Sequence, residues 1–172
     1  DTYKKSNLNT VHRSSLLVPK IKSHKTYISF LNHFLLKRGY KDVVIKITGY
    51  FSSGKSGSSI SYSVDNPQVY TFYLEELGDT YSCYQVEFFS SHNLFIPFPA
   101  VMVNHISKYA INTVHSYNRV LNDSREEDNI NKIHSREASI DFCSSKKYDT
   151  FFILQSGLFD LEGTLELTLE SM

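Results

Sequence analysis

Residues 49–56 read Gly-Tyr-Phe-Ser-Ser-Gly-Lys-Ser, a match to G-x-x-x-x-G-K-[ST], and they follow a strand-like stretch. The chemistry such a loop performs is phosphate binding, with amides of the loop and of the helix behind it holding the β-phosphate. The residues behind this loop do not suit a helix. Gly57 to Pro67 is serine-rich, alternates every second residue and ends in Asn66-Pro67. A supporting parallel strand with a magnesium-binding aspartate is also hard to find, since Ser139-Ile140-Asp141 is short and polar. The expectation is a Ser/Gly hairpin loop. A nucleotide-binding enzyme acting through Gly49–Ser56 and Lys55 is the lesser alternative.

Other reactive side chains are scattered. The seven histidines (12, 24, 33, 92, 105, 115 and 134) form no HxH or HxxxH pair. Cys83 and Cys143 are too far apart in sequence for a CxxC site. Glu75-Glu76 and Glu126-Glu127-Asp128 sit among polar neighbours that leave a carboxyl's proton affinity ordinary. No catalytic residue, metal site or cofactor is expected, and the chain reads as a non-enzyme.

Charge distribution carries more information. The 172 residues are neutral overall, but residues 1–50 hold ten Lys/Arg against two acids, net +8, leaving −8 for the rest. A polarised chain of this kind can meet a polyanion with one end and a basic partner or another copy with the other. The candidate contacts to membrane or nucleocapsid are Lys4, Lys5, Arg13, Lys20, Lys22 and Lys25. Phe95-Ile96-Pro97-Phe98-Pro99 is apolar without helical or strand period, so Phe95, Ile96 and Phe98 form a candidate hydrophobic contact loop. An alternative is an RNA-binding accessory protein with its basic third on phosphates and Tyr70, Phe72 and Tyr84 as stacking platforms, although alternating aromatics also suit a core.

The elements that must position these residues can be placed from periodicity. Residues 1–15 read as a flexible basic arm and 16–172 as a single globular domain in a reducing compartment. Leu16–Val18, stopped by Pro19, suits a short edge strand. Tyr27, Ile28, Leu31, Phe34 and Leu35 fall on one helical face, with Lys37, Arg38 and Gly39 as a C-terminal signal. Asp42–Phe51 alternates as a strand with Gly49 at a bulge, and residues 52–59 form a flexible loop. Ile60, Tyr62 and Val64 mark the next strand. Val69–Leu77 and Tyr81–Phe89 flank Gly78-Asp79 as a hairpin. A second helix of about twenty residues opens at Pro97-Phe98-Pro99, with Val103, Ile106, Ala110, Val114, Tyr117 and Leu121 spaced by 3 or 4. Ala138–Phe142, Phe151–Leu154 and Leu165–Leu169 mark later strands. The fold class predicted is α+β, a small, mostly antiparallel sheet with two amphipathic helices packed on it.

The order of these parts resembles one family. A basic arm, the stretch Thr26-Tyr27-Ile28-Ser29-Phe30-Leu31-Asn32-His33 and a strand running into a Gly-Ser loop (Ile45 to Ser58) look like the matrix proteins of rhabdoviruses, of a plant-infecting branch. Gly157-Leu158-Phe159 and Gly163-Thr164-Leu165-Glu166-Leu167-Thr168-Leu169 resemble that family's late strand. Two departures are the neutral net charge and the lack of Pro-rich budding motifs. The resemblance implies a viral structural protein that self-associates into a polymer and bridges the nucleoprotein–RNA complex to the anionic inner face of the envelope during assembly. Its location would then be the virion beneath the envelope, and the cytoplasm and inner membrane face of an infected cell.

Overall fold

The computed structural model of the chain describes residues 12–90 and 100–116. Eight strands occupy them: β1 (His12–Pro19), β2 (Lys25–Leu31), β3 (Val43–Tyr50), β4 (Ser56–Ser63), β5 (Val69–Tyr73), β6 (Cys83–Ser90), β7 (Val101–Ile106) and β8 (Ile111–Ser116). They form two antiparallel four-stranded sheets, ordered β1-β6-β3-β4 and β5-β2-β7-β8. One core joins the sheets. Leu16, Val18, Ile45, Ile47, Val86 and Phe88 of the first meet Ile28, Phe30, Val101 and Val103 of the second, and Phe30 packs edge-on to Phe88 at 5.2 Å between ring centres. The architecture is a β-sandwich, with inward apolar residues alternating with outward ones along β2, β3 and β6.

This corrects the α+β expectation. Among the described residues no helix reaches seven residues. The first predicted helix is mostly β2, in which Thr26, Ile28 and Phe30 are buried at two-residue spacing. Tyr27, Ile28, Leu31 and Phe34 fit only the helical period, whereas Thr26, Ile28 and Phe30 alternate, and β-branched and aromatic residues lose rotamer freedom in a helix and pack well on a pleated face, which leaves Leu31 exposed. Only the C-terminal part survives as α1 (His33–Arg38), capped by Asn32 and ended by Gly39 in the left-handed conformation. The second predicted helix is the β7–β8 hairpin. Val103 lies opposite Val114 and Ile106 opposite Ile111, so its apolar spacing is the mirror symmetry of a hairpin and not a helical pitch. Tyr117 and Leu121 lie outside the described residues.

The predicted Val69–Phe89 hairpin is also corrected. β5 pairs with β2, whereas β6 lies between β1 and β3 in the other sheet. The connection is a 3-10 turn at Leu74–Leu77, with Leu74 buried, followed by Gly78–Ser82. It arches from sheet to sheet because Leu74 and Tyr81 both enter the core between them.

Other expectations fit. β1 is an edge strand ending at Pro19, although it starts at His12, inside the stretch read as an arm. The β3–β4 register shifts between Thr48 and Tyr50, placing the bulge at Gly49. β4 begins at Ser56, so the loop is shorter than residues 52–59. The later strands expected at 138–169 lie outside the described residues.

Candidate functional site

The phosphate-loop string folds as a hairpin. β3 runs to Tyr50, the Phe51 amide donates to the Lys55 carbonyl at 3.0 Å, and the chain returns as β4 with Ser56 opposite Tyr50. A strand therefore follows the loop, and the helical amides that would hold a β-phosphate are not assembled there. The glycines have a different task. Tyr81 lies across the hairpin so closely that a Cβ on Gly49 would sit 2.3 Å from its ring and a Cβ on Gly57 2.2 Å from it. The Ser58 amide donates to the Tyr81 hydroxyl at 2.7 Å, and hydrogen bonding by Ser58, through its side chain first and its amide second, favours the phenolate and lowers the phenol's proton affinity. Phe51 and Tyr84 hold the other sides of the ring, at 5.0 and 6.0 Å between centres.

The same hairpin belongs to a more suggestive surface. In the first sheet Pro19, Cys83, Tyr50 and Ser56 are cross-strand neighbours. In the second, Tyr27 faces Tyr73, Lys25 faces Ile106, and Ile106 faces Ile111. The β1–β2 loop joins these two rows, so the β1–β2, β3–β4 and β7–β8 connections and the β5–β6 arch all leave one end of the sandwich. That end collects Lys20, Lys22, Lys25, Lys55 and Lys108 against Glu75, Glu76 and Asp79. Two of the carboxylates are engaged. Lys20 Nζ donates to the Asp79 carbonyl and lies 3.4 Å from its Oδ1, while Glu75 Oε1 accepts the Thr26 amide at 2.6 Å. Lys22, Lys25, Lys55 and Lys108 are exposed. At the same end Tyr109 projects from the β7–β8 turn, 87% exposed, with Lys108 Nζ 5.4 Å from its ring centre. The turn is braced by Ser107, whose hydroxyl accepts the Tyr109 and Ala110 amides at 3.2 and 3.0 Å.

Of the basic residues singled out in the sequence, Lys20, Lys22 and Lys25 reach this end. Arg13 lies in β1. Lys4, Lys5 and the contact loop Phe95, Ile96 and Phe98 lie outside the described residues. Lys55 and Lys108 were missed as members of a basic group, because they are 30 and 83 positions from Lys25 and only the strand pairing unites them. The candidate stacking platforms are structural. Tyr84 is fully buried, donates to the Gly78 carbonyl at 3.0 Å, and burial pushes its phenol up to about 12. Tyr70 and Phe72 stack on Phe30 at 5.6 and 6.4 Å. At the opposite end an open groove of about 340 Å³ runs beside Lys41, Asp42, Val44, Asp65 and Phe89. Among the described residues no three His, Cys, Asp or Glu side chains converge as metal donors, and no helix is long and apolar enough to cross a membrane.

Under the lysine-bearing end lies a buried histidine. His105, 4% exposed, has Nδ1 3.1 Å from the Thr26 hydroxyl. Burial lowers its proton affinity, His24 pushes the same way, and Glu75 opposes both. The unfolded chain therefore binds more protons than the folded one between the depressed folded value and about 6.5. Stability is full above that window and falls as pH drops through it. Burial raises Glu87 and gives the opposite slope at lower pH, so the comparison with His105→Gln isolates the imidazole. Urea unfolding at pH 7.5 and 5.5 is expected to show a larger loss for the wild type than for His105→Gln; equal losses would contradict this account.

No family model, curated protein or solved structure matches the chain.

Proposed function

We propose that this chain is a non-enzymatic structural protein of the matrix type, which lays its lysine-bearing end on an anionic surface and self-associates there. The observation carrying this reading is the end itself, which presents the exposed Lys22, Lys25, Lys55 and Lys108 and a projecting Tyr109 with Lys108 over its ring. A tyrosine beside lysines suits a lipid headgroup region, where the ring sits among polar groups and cations meet anionic lipid. The resemblance to rhabdovirus matrix proteins favours the inner leaflet of a viral envelope as that surface, with the nucleoprotein–RNA complex as the second partner. Of the aromatics that would stack on a single strand, Tyr84 is in the core and Tyr70 and Phe72 are half-buried against Phe30, so membrane contact is better supported than direct reading of RNA.

The test is flotation with vesicles of phosphatidylserine and phosphatidylcholine. Each lysine near an anionic leaflet contributes about 1 kcal/mol. The triple variant Lys22→Glu/Lys25→Glu/Lys108→Glu is therefore expected to bind at least about 100-fold more weakly at low salt. Wild-type binding should fade as salt rises and vanish on pure phosphatidylcholine. Wild-type protein that ignores acidic vesicles at low ionic strength, or a triple variant that binds as tightly, overturns the proposal.

A further inference from the structure

The two edges of the first sheet are built differently. β1 ends in Pro19, which has no amide to offer a neighbour, whereas Ser56–Ser63 contains neither a charge nor a proline. Sheet edges that stay single are usually blunted by lysine, proline or a short strand. β4 is eight residues long and exposed throughout except at the half-buried Ile60. Its bonding pattern is set by the Val64 amide, which donates to the Val43 carbonyl at 2.8 Å. Counting back by twos from that amide, Tyr62 and Ile60 turn their amides and carbonyls toward β3. Ser63, Ser61 and Ser59 turn theirs outward, as a row of donors and acceptors to which no strand among the described residues pairs.

We propose that this edge pairs with β4 of a second copy of the chain, antiparallel, about a two-fold axis through Ile60. The inference rests on the self-association in the reading above and names its surface. Three observations lead to it. An antiparallel pairing about a two-fold axis perpendicular to the sheet must place one residue opposite itself. Centring on Ile60 overlaps residues 57–63 and joins the outward groups of Ser59 to those of Ser61 in the partner. The second observation is charge. Lys55 precedes β4 by one residue and Asp65 follows it by two, and both are exposed. Only the register centred on Ile60 sets Lys55 opposite Asp65 of the partner at both ends; centring on residue 58, 59, 61 or 62 leaves each facing an uncharged residue.

The third observation is apolar. Ile60 and Tyr62 lie on the inward face, with the Tyr62 ring 5.0 Å from Phe72, yet Tyr62 remains 47% exposed. In the paired form Ile60 meets Ile60 of the partner and the two Tyr62 rings flank them. The strip continues the Phe30–Phe72 aromatic stack beyond the edge. The product is one continuous eight-stranded sheet across two copies.

Sedimentation equilibrium of the purified chain and its charge variants tests the register without touching the core. Lys55→Asp alone and Asp65→Lys alone should each weaken the dimer by about tenfold, because two exposed ion pairs become two like-charge contacts. The double swap Lys55→Asp/Asp65→Lys should restore it. Ile60→Cys should form an intermolecular disulfide under mild oxidation, since opposed residues of a non-hydrogen-bonded pair lie close. The wild type, which already carries Cys83 and Cys143, serves as the control. A wild-type dimer indifferent to the charge swaps and not cross-linked by Ile60→Cys overturns this interface while leaving self-association standing. A wild type that stays monomeric near 0.1 mM (an order-of-magnitude ceiling for a specific weak dimer) overturns both and assigns the edge to a different occupant.

Discussion

Gly57→Ala is expected to lower the unfolding free energy by about 3 kcal/mol, and Gly49→Ala by about as much, the upper range for overpacking a filled core. Either new methyl group would fall inside contact distance of the Tyr81 ring, at 2.2 Å for Gly57 and 2.3 Å for Gly49. The ring cannot retreat cheaply, because Phe51 and Tyr84 pack against it. Its hydroxyl is also held by the Ser58 amide. The effect should depend on the tyrosine. In a Tyr81→Ala background, itself destabilised by the loss of a large buried ring, Gly57→Ala should cost close to nothing, since the clash has gone. Urea unfolding of the four proteins in this cycle measures the coupling. Simple additivity would mean that the close approach of Tyr81 is not why these positions are glycine. Lys55→Ala should stay within about 0.5 kcal/mol of wild type, as expected for an exposed side chain outside the core.

Asn32→Ala should be comparably severe, about 3 kcal/mol. Asn32 is wholly buried between β2 and α1. Its Nδ2 donates to the carbonyls of Val64 and Asn66 at 3.0 and 2.9 Å, and its Oδ1 accepts the Leu35 amide at 3.2 Å. Alanine removes an N-cap, worth about 1 kcal/mol, and leaves the buried Val64 carbonyl short of a donor at about 1–3 kcal/mol, while the Asn66 carbonyl keeps the Gln68 amide at 2.9 Å. Asn32→Asp separates the two roles. The carboxylate can still cap α1 but turns an oxygen toward two carbonyl oxygens, so burial and repulsion raise its folded proton affinity above the unfolded value. Stability of that variant is therefore present at low pH and lost as pH rises through the folded value, the reverse of the usual aspartate. Chemical denaturation at pH 4 and pH 7 checks this, and an Asn32→Asp variant more stable at pH 7 would contradict it. Asn32 also ties the β2–α1 junction to the segment that ends β4, so its loss should fray the far end of the proposed dimer edge.

Much of the single-strand pattern was legible. Val43, Ile45 and Ile47 alternate in sequence and are buried as read, and Gly49 sits at a bulge. The failures share one cause. Tyr27–Phe34 and Val103–Val114 satisfy a helical spacing by coincidence, and a window of a dozen residues cannot tell helical pitch from two strands folded back about a turn. The turn at Ser107–Ala110 contains no glycine or proline to announce it. Gly78-Asp79, which does look like a hairpin signal, instead crosses between sheets because Leu74 and Tyr81 are drawn into the shared core.

The candidate site divides in the same way. By itself the sequence determined that the chain is aromatic-rich and charge-polarised, and that the residues after Lys55 are too serine-rich and too alternating for the helix a phosphate loop needs. These are local properties, decided by the backbone preferences and charges of neighbouring residues. Tertiary structure alone decided that Gly49 and Gly57 make room for Tyr81, that Lys55 and Lys108 join Lys22 and Lys25 at one end, and that β4 is an edge of the first sheet among the described residues. Each of these depends on which strands pair, and strand pairing is settled by burial of side chains from distant segments in one core, a property that no single stretch of the chain carries.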